Sequence, residues 1–253
     1  MLVDSHCHLD APEFDADRAQ VLARARAAGV VAQVVPAIRL ADFAALRDLC
    51  AAHADLHPAY GLHPMFLADH APAHIDALRE WLGRERAVAV GECGLDFFVE
   101  GLDAQTQRDY FTAQLRLARD FDLPVILHAR RAVDEVIATI KRFAPLRGVV
   151  HSYSGSAEQA RQLWNLGFFI GLGGPITYER AHRLRSLVAT MPLEFLLLET
   201  DAPDQPLSTH RGERNEPAYL IEVADTVARL RDADAASIAQ ATTLNAKRLF
   251  SLE

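Results

Sequence analysis

Cysteine is scarce in this chain, and long apolar runs are missing. Cys7, Cys50 and Cys93 are odd in number and scattered. That excludes a disulfide framework and fits a reducing, cytoplasmic setting. With no CxxC pair, Cys7 and Cys93 read as small buried packing residues although they lie beside candidate ligands. No apolar stretch approaches the roughly 20 residues needed to span a membrane. The N-terminus lacks a basic region, an h-region and a small-residue cleavage site, so no signal peptide is expected. Positive charge is in deficit: 26 Lys and Arg face 34 Asp and Glu, for a net charge of −8. This excludes a broad basic surface that coats nucleic acid. A small basic groove at a site is still compatible with it, because local fields outweigh the sum.

What the chain does have is alternation. Half of its 253 residues are hydrophobic, enough for one large core. Strand-like runs occur at 2–6, 30–36, 57–63, 87–92, 124–128, 148–152, 168–172 and 196–200. Their near-continuous hydrophobicity suits parallel strands buried on both faces. Helical patterns fall near 16–28, 41–53, 72–84, 105–121, 132–143, 157–166 and 178–190, with two more near 217–231 and 235–250. Gly29, Gly148 and Gly167 sit where helices stop before strands. Eight strand–helix units without a linker or low-complexity stretch predict a (β/α)8 TIM barrel, one domain over residues 1–253. An open doubly wound sheet is the weaker reading, since no GxGxxG follows the first strand.

In such a barrel the chemistry belongs at the C-terminal ends of the strands. The polar residues there are His6, His8, His63, Glu92, His128, His151 and Asp201. Taken singly, a strand-end histidine reads as a hydrogen-bonded structural residue, and Glu92 or Asp201 as a helix cap or an arginine partner. Taken together, so many titratable groups would cost several kcal/mol each if buried without partners. Divalent metal offsets that cost. The expected arrangement gives one ion to His6, His8 and Asp201 and a second to His128 and His151, with Glu92 bridging both. Two ions about 3.5–4 Å apart orient a water, lower its pKa and polarise a phosphoryl or carbonyl oxygen. Asp201 is the expected acceptor of that water's proton. By ligand softness alone, four imidazoles and two carboxylates suit Zn, Mn, Ni or Co more than Mg. The cofactors expected are two divalent ions, with Mg, Mn or Zn as candidates.

The motifs DSHCHLD (4–10), GLHP (61–64), GECGLDF (91–97), PVILHARRA (124–132), VVHSYSGS (149–156), IGLGGPITY (170–178), LLLETDAPD (196–204) and RNEPAYL (214–220) run almost end to end. In these the chain resembles the TatD family of metal-dependent hydrolases, within the amidohydrolase-like barrels. The resemblance implies a divalent-metal deoxyribonuclease that works on DNA from the 3′ end, with single-stranded ends as substrate. It implies His6, His8, Glu92, His128, His151 and Asp201 as metal ligands and His63 as a substrate-side residue. Two departures stand out. Tyr153 replaces the more usual Phe, and the segment from Asp201 to Arg214 varies among relatives, which bears on substrate choice.

Other residues have two readings each. His63 contacts substrate, or is a hydrogen-bonded neighbour of the ligands. Arg130, two residues after His128, clamps a phosphate or makes a surface ion pair. Arg214 does the same, or pairs with Glu216 or Glu222. Asp96 orients a nearby group or caps a helix. Phe97 and Phe98 stack on a base or pack in the core. Glu199 orients a ligand histidine or pairs with a basic core residue. The leading functional reading is hydrolysis of DNA phosphodiester bonds by a two-metal activated water, with Asp201, Glu92 and His63 catalytic and His63, Arg130 and Arg214 on the substrate. The alternative is an acyl ester or amide hydrolase, such as an aminoacyl-tRNA deacylase, on the same site. A metal-holding protein without turnover is the remaining possibility. No helix face shows a conspicuous apolar stripe reserved for a partner, so a monomer with no obligate protein partner and no membrane attachment is expected.

Overall fold

The computed structural model describes residues 1–253. Its strands are β1 (Leu2–Asp4), β2 (Val30–Pro36), β3 (Leu56–Tyr60), β4 (Ala89–Asp96), β5 (Val125–Arg130), β6 (Gly148–Val150), β7 (Phe168–Leu172) and β8 (Leu196–Leu198). The helices are α1 (Arg18–Ala27), α2 (Phe43–Ala52), α3 (Ala73–Leu82), α4 (Ala104–Asp120), α5 (Val133–Phe143), α6 (Ala157–Asn165), α7 (His182–Thr190), α8 (Leu220–Arg231) and α9 (Ala235–Phe250). The eight strands form one sheet in sequence order. Pairings such as β1–β2, β4–β5 and β7–β8 are parallel. Parallel strands in unbroken order, each followed by a helix, are the topology of a (β/α)8 barrel.

By their internal contacts the residues group into two compact units. One comprises Met1–Val35 and Ile170–Glu253, and the other Pro36–Phe169. In the second unit every residue of β3 and β4 is buried. Next to them α5 packs on β5 and turns Val133, Val136, Ile137 and Ile140 inward, one face at helical spacing. Each such Val or Ile contributes roughly 1.5–3 kcal/mol by leaving water. Asp103 caps α4 by accepting from the Thr106 amide at 2.6 Å, and Ser156 with Gln159 closes a capping box on α6, each worth about 1 kcal/mol. In the first unit β8 and residues 170–172 of β7 are wholly buried. There α9 starts on an Asp234 cap and turns Ile238, Leu249 and Phe250 inward.

Gly29 and Gly167 follow α1 and α6 with φ of +86° and +82°, the left-handed turn in which an L side chain is strained. Gly148 instead is already the first residue of β6. The strand ends differ from the sequence reading in a consistent way. β1, β3, β6 and β8 stop short, so His6, His63, His151 and Thr200 lie in the segments after them. The cause at β1 and β8 is visible: the Asp4 carboxylate takes the amides of His6 and Thr200 away from the ladder, at 3.3 and 3.0 Å. β4 and β5 run longer, to Asp96 and Arg130. No helix is long and apolar enough to cross a membrane.

Candidate metal centre

In the first unit, three ligand atoms converge just beyond the ends of β1 and β8. His6 Nε2 and His8 Nε2 are 3.2 Å apart. Asp201 Oδ1 lies 3.4 Å from the first and 3.7 Å from the second. The two segments are zipped by backbone: the Asp201 amide donates to the His6 carbonyl at 2.9 Å, and the His8 amide to Ala202 at 2.7 Å. Below them Asp4 is wholly buried. Its carboxylate accepts from the Thr200 hydroxyl at 2.6 Å and from the Thr200 and His6 amides. Burial pushes that carboxyl up to about 7, against hydrogen bonds from Thr200 and His6 that favour its charged form. Asn215, also buried, donates to the carbonyls of Thr200, Asp204 and Gln205 and so holds the segment after Asp201. Gln205 Nε2 donates to Asp201 Oδ2 at 2.5 Å. One oxygen of Asp201 thus faces the imidazoles while the other is held in place.

In the second unit Glu92 stands near the middle of β4, 1 % exposed. Its Oε1 lies 3.0 Å from His63 Nε2, 3.0 Å from His128 Nδ1 and 2.6 Å from His151 Nε2. Gly94 permits this close stacking of β4 on β5. It has φ +143°, and a Cβ there would meet the His128 carbonyl oxygen at 2.0 Å. The other ring nitrogens decide what each histidine can do. His128 Nε2 is 2.8 Å from Asp96 Oδ2. A proton held there by the carboxylate leaves Nδ1 as a lone pair, the arrangement of a metal-ligating histidine oriented from behind. Burial of Asp96 alone would raise its pKa. Hydrogen bonds from His128 and from the Val99 and Phe98 amides outweigh that and bring it to about 2. Burial of His128 works against its charge, and its hydrogen bonds to the Asp96 and Glu92 carboxylates more than offset it, raising its pKa.

His63 is wired the other way. Its Nδ1 accepts from the Met65 amide at 3.1 Å, so Nε2 carries the proton and donates to Glu92. A protonated nitrogen does not coordinate. His63 is therefore a donor beside the ligands, not a ligand in this tautomer.

Both groups fit divalent metal on their own chemistry. Two facing imidazole nitrogens at 3.2 Å hold at most one proton between them, and with both deprotonated they and the Asp201 carboxylate offer three lone pairs to one cation. His6, His8 and Asp201 have donor atoms all within 4.8 Å of one another.

Of the other sequence candidates, Arg130 is exposed at the end of β5, its guanidinium 3.7 Å from the centre of the Phe98 ring. Arg214 is engaged elsewhere. It pairs with Asp17 at 2.8 Å and Glu216 at 2.9 Å, donates to the Glu13 carbonyl and lies over the Phe14 ring. This placement favours the ion pair over the phosphate contact. The Tyr153 hydroxyl donates to the Ser156 carbonyl at the start of α6. Sequence reasoning missed Asp4 and Gln205, which hold the ligand segments. Asp4 opens one of the motifs and Gln205 directly follows another, but nothing in the residue types tells a ligand from its support.

A family model described as TatD related DNase matches residues 3–251. The metal-dependent hydrolase YjjV of Escherichia coli K12 is 43 % identical, over 99 % of this chain and 98 % of its own. A protein of Erwinia tasmaniensis named 3′-5′ ssDNA/RNA exonuclease TatD is 35 % identical over 99 % of this chain and 100 % of its own. The crystal structure of the YjjV TatD homologue superposes with a TM-score of 0.96 at 41 % identity, covering 100 % of this chain and 98 % of that one. The chain belongs to the TatD family of metal-dependent hydrolases.

Proposed function

We propose that this protein is a divalent-metal nuclease that hydrolyses phosphodiester bonds of single-stranded DNA from the 3′ end. The observation that carries the reading is the split wiring of the histidines around Glu92. His128 presents a lone pair with its far nitrogen tied to Asp96, whereas His63 presents a proton. A site with both metal-ligand and hydrogen-donor histidines suits a charged leaving group. The relative named as a 3′-5′ ssDNA/RNA exonuclease supports the substrate class.

Two ions are proposed, one on His6, His8 and Asp201, the other on Glu92, His128 and His151. When bound they supply Lewis acidity, making a nucleophile from water at neutral pH and neutralising phosphoryl charge. The protein's own groups do the rest. Asp201 accepts the proton of the attacking water, steadied by Gln205. Glu92 positions three imidazoles on one oxygen. The His63 Nε2 proton is held by Glu92 Oε1 and would turn to the substrate once that oxygen serves as a ligand, and exposed Arg130 binds phosphate as a planar fork.

The test is digestion of a 5′-labelled single-stranded oligonucleotide by metal-stripped protein refilled with Mg, Mn or Zn, with Glu92→Ala alongside. The expected result is a ladder shortening from the 3′ end, dependent on metal and lost in the variant. Steady turnover of an acyl ester with no cleavage of DNA under any ion would overturn the reading in favour of carbonyl hydrolysis.

A further inference from the structure

The segment after β4 carries a large apolar side chain in the open. Phe98 is 44 % exposed, unlike the buried aromatic residues of the core. Two guanidinium groups lie against its ring, Arg130 at 3.7 Å and Arg131 at 4.6 Å from the ring centre. Neither arginine forms an ion pair with a carboxylate, whereas Arg24, Arg39, Arg108 and Arg214 all do. Two cations without acidic partners over an exposed ring are out of keeping with a protein of net charge −8.

The group is also fixed in register with the ligands. Asp96 Oδ1 accepts the Phe98 and Val99 amides at 2.9 and 3.0 Å, while its Oδ2 holds His128. The Phe97 amide donates to the Arg130 carbonyl at 2.9 Å. A surface cation–π contact needs none of this support. A recognition platform that must lie at a set distance from the reacting bond does.

We infer that Phe98, with Arg130 and Arg131, is a base-stacking platform that takes one of the last two nucleobases at the 3′ end of a single strand. Stacked aromatic and guanidinium planes accept any base, and the same arginines attract the adjoining phosphates. Phe98 is on this view a specificity residue: it selects unpaired ends, because a base held in a duplex cannot reach the ring. The inference rests on the nuclease reading above.

Two measurements test it. The first is fluorescence of an oligonucleotide with 2-aminopurine at its 3′ end, added to metal-free protein, so that no turnover is involved. Stacking quenches the signal in wild type, Phe98→Ala removes the quenching and Phe98→Trp restores it. The second is kinetics on the metal-loaded enzyme. Phe98→Ala raises KM about ten-fold on an ordinary oligonucleotide, the loss of one stacked base, with kcat within two-fold. On an oligonucleotide whose last two sugars are abasic, wild type and variant have the same KM. A wild type that cleaves DNA while Phe98→Ala matches it in KM and quenching overturns the platform alone. A wild type that neither cleaves nor quenches overturns the nuclease reading with it.

Discussion

His63 and His128 touch the same carboxylate oxygen, yet their far nitrogens meet opposite partners, a backbone amide in one case and a carboxylate in the other. This difference separates their roles at the scale of single atoms. His128→Ala removes a lone pair and is expected to cost the protein one bound ion. His63→Ala removes a donor and leaves the metal content as in wild type, with kcat down about 10²-fold, the usual worth of a positioned proton donor. Metal content by mass spectrometry, measured beside the rate, decides the point. Equal metal loss in both variants would show that His63 is a ligand after all. Asp96→Asn belongs to the same scale. It leaves His128 free to choose the wrong tautomer, and metal affinity is expected to fall about 10–100-fold.

At the scale of elements, the ends matter more than the bodies. Arg214 ties the segment after β8 to the start of α1 through Asp17, with Glu216 and Arg24 completing the set. The hydrogen bond from Arg214 is the chief reason the Asp17 carboxyl lies at about 2, below its ordinary 3.8. A carboxyl lowered on folding stabilises the protein above its unfolded value and loses that contribution as pH falls through the folded one. Arg214→Ala is therefore expected to lower the melting temperature by about 2–4 °C at neutral pH. The gap from wild type closes as pH falls from 4 to 2. KM for DNA stays unchanged, and a raised KM would return Arg214 to the phosphate.

The elements themselves were legible from the alternation of apolar runs and helical periods, because a buried parallel strand has no polar face to confuse the pattern. The six candidate ligands stood out for a related reason: one such residue has a structural reading, but polar side chains recurring at the ends of five apolar runs break the pattern together. The supports were not. Asp4 reaches Thr200 across 196 positions and Asn215 reaches back to three carbonyls, and hydrogen bonds between distant segments leave no periodic trace. Arg214 was ambiguous because a guanidinium's partner is chosen by tertiary structure alone.

Across the whole molecule, 34 acidic residues outnumber 26 basic ones, so the proposed polyanionic substrate would meet net repulsion everywhere except near local cations. Few phosphates are neutralised on binding. If Arg130 and Arg131 are the two cations involved, the affinity for single-stranded DNA falls with salt on a log–log slope of about −1.4, from roughly 0.7 per contact. Fluorescence anisotropy between low and moderate salt measures it. A slope several times steeper would reveal a broad basic surface that the composition excludes.

Asp96 bears on how this enzyme can be redesigned. Its two oxygens divide between His128 and the amides of Phe98 and Val99, so the segment after β4 is not freely interchangeable. A graft that begins beyond Val99 can exchange the tip for one with another substrate preference and leave the ligand undisturbed. A graft that begins at Phe97 also replaces the anchor points that Asp96 uses, and alters the metal chemistry along with the specificity.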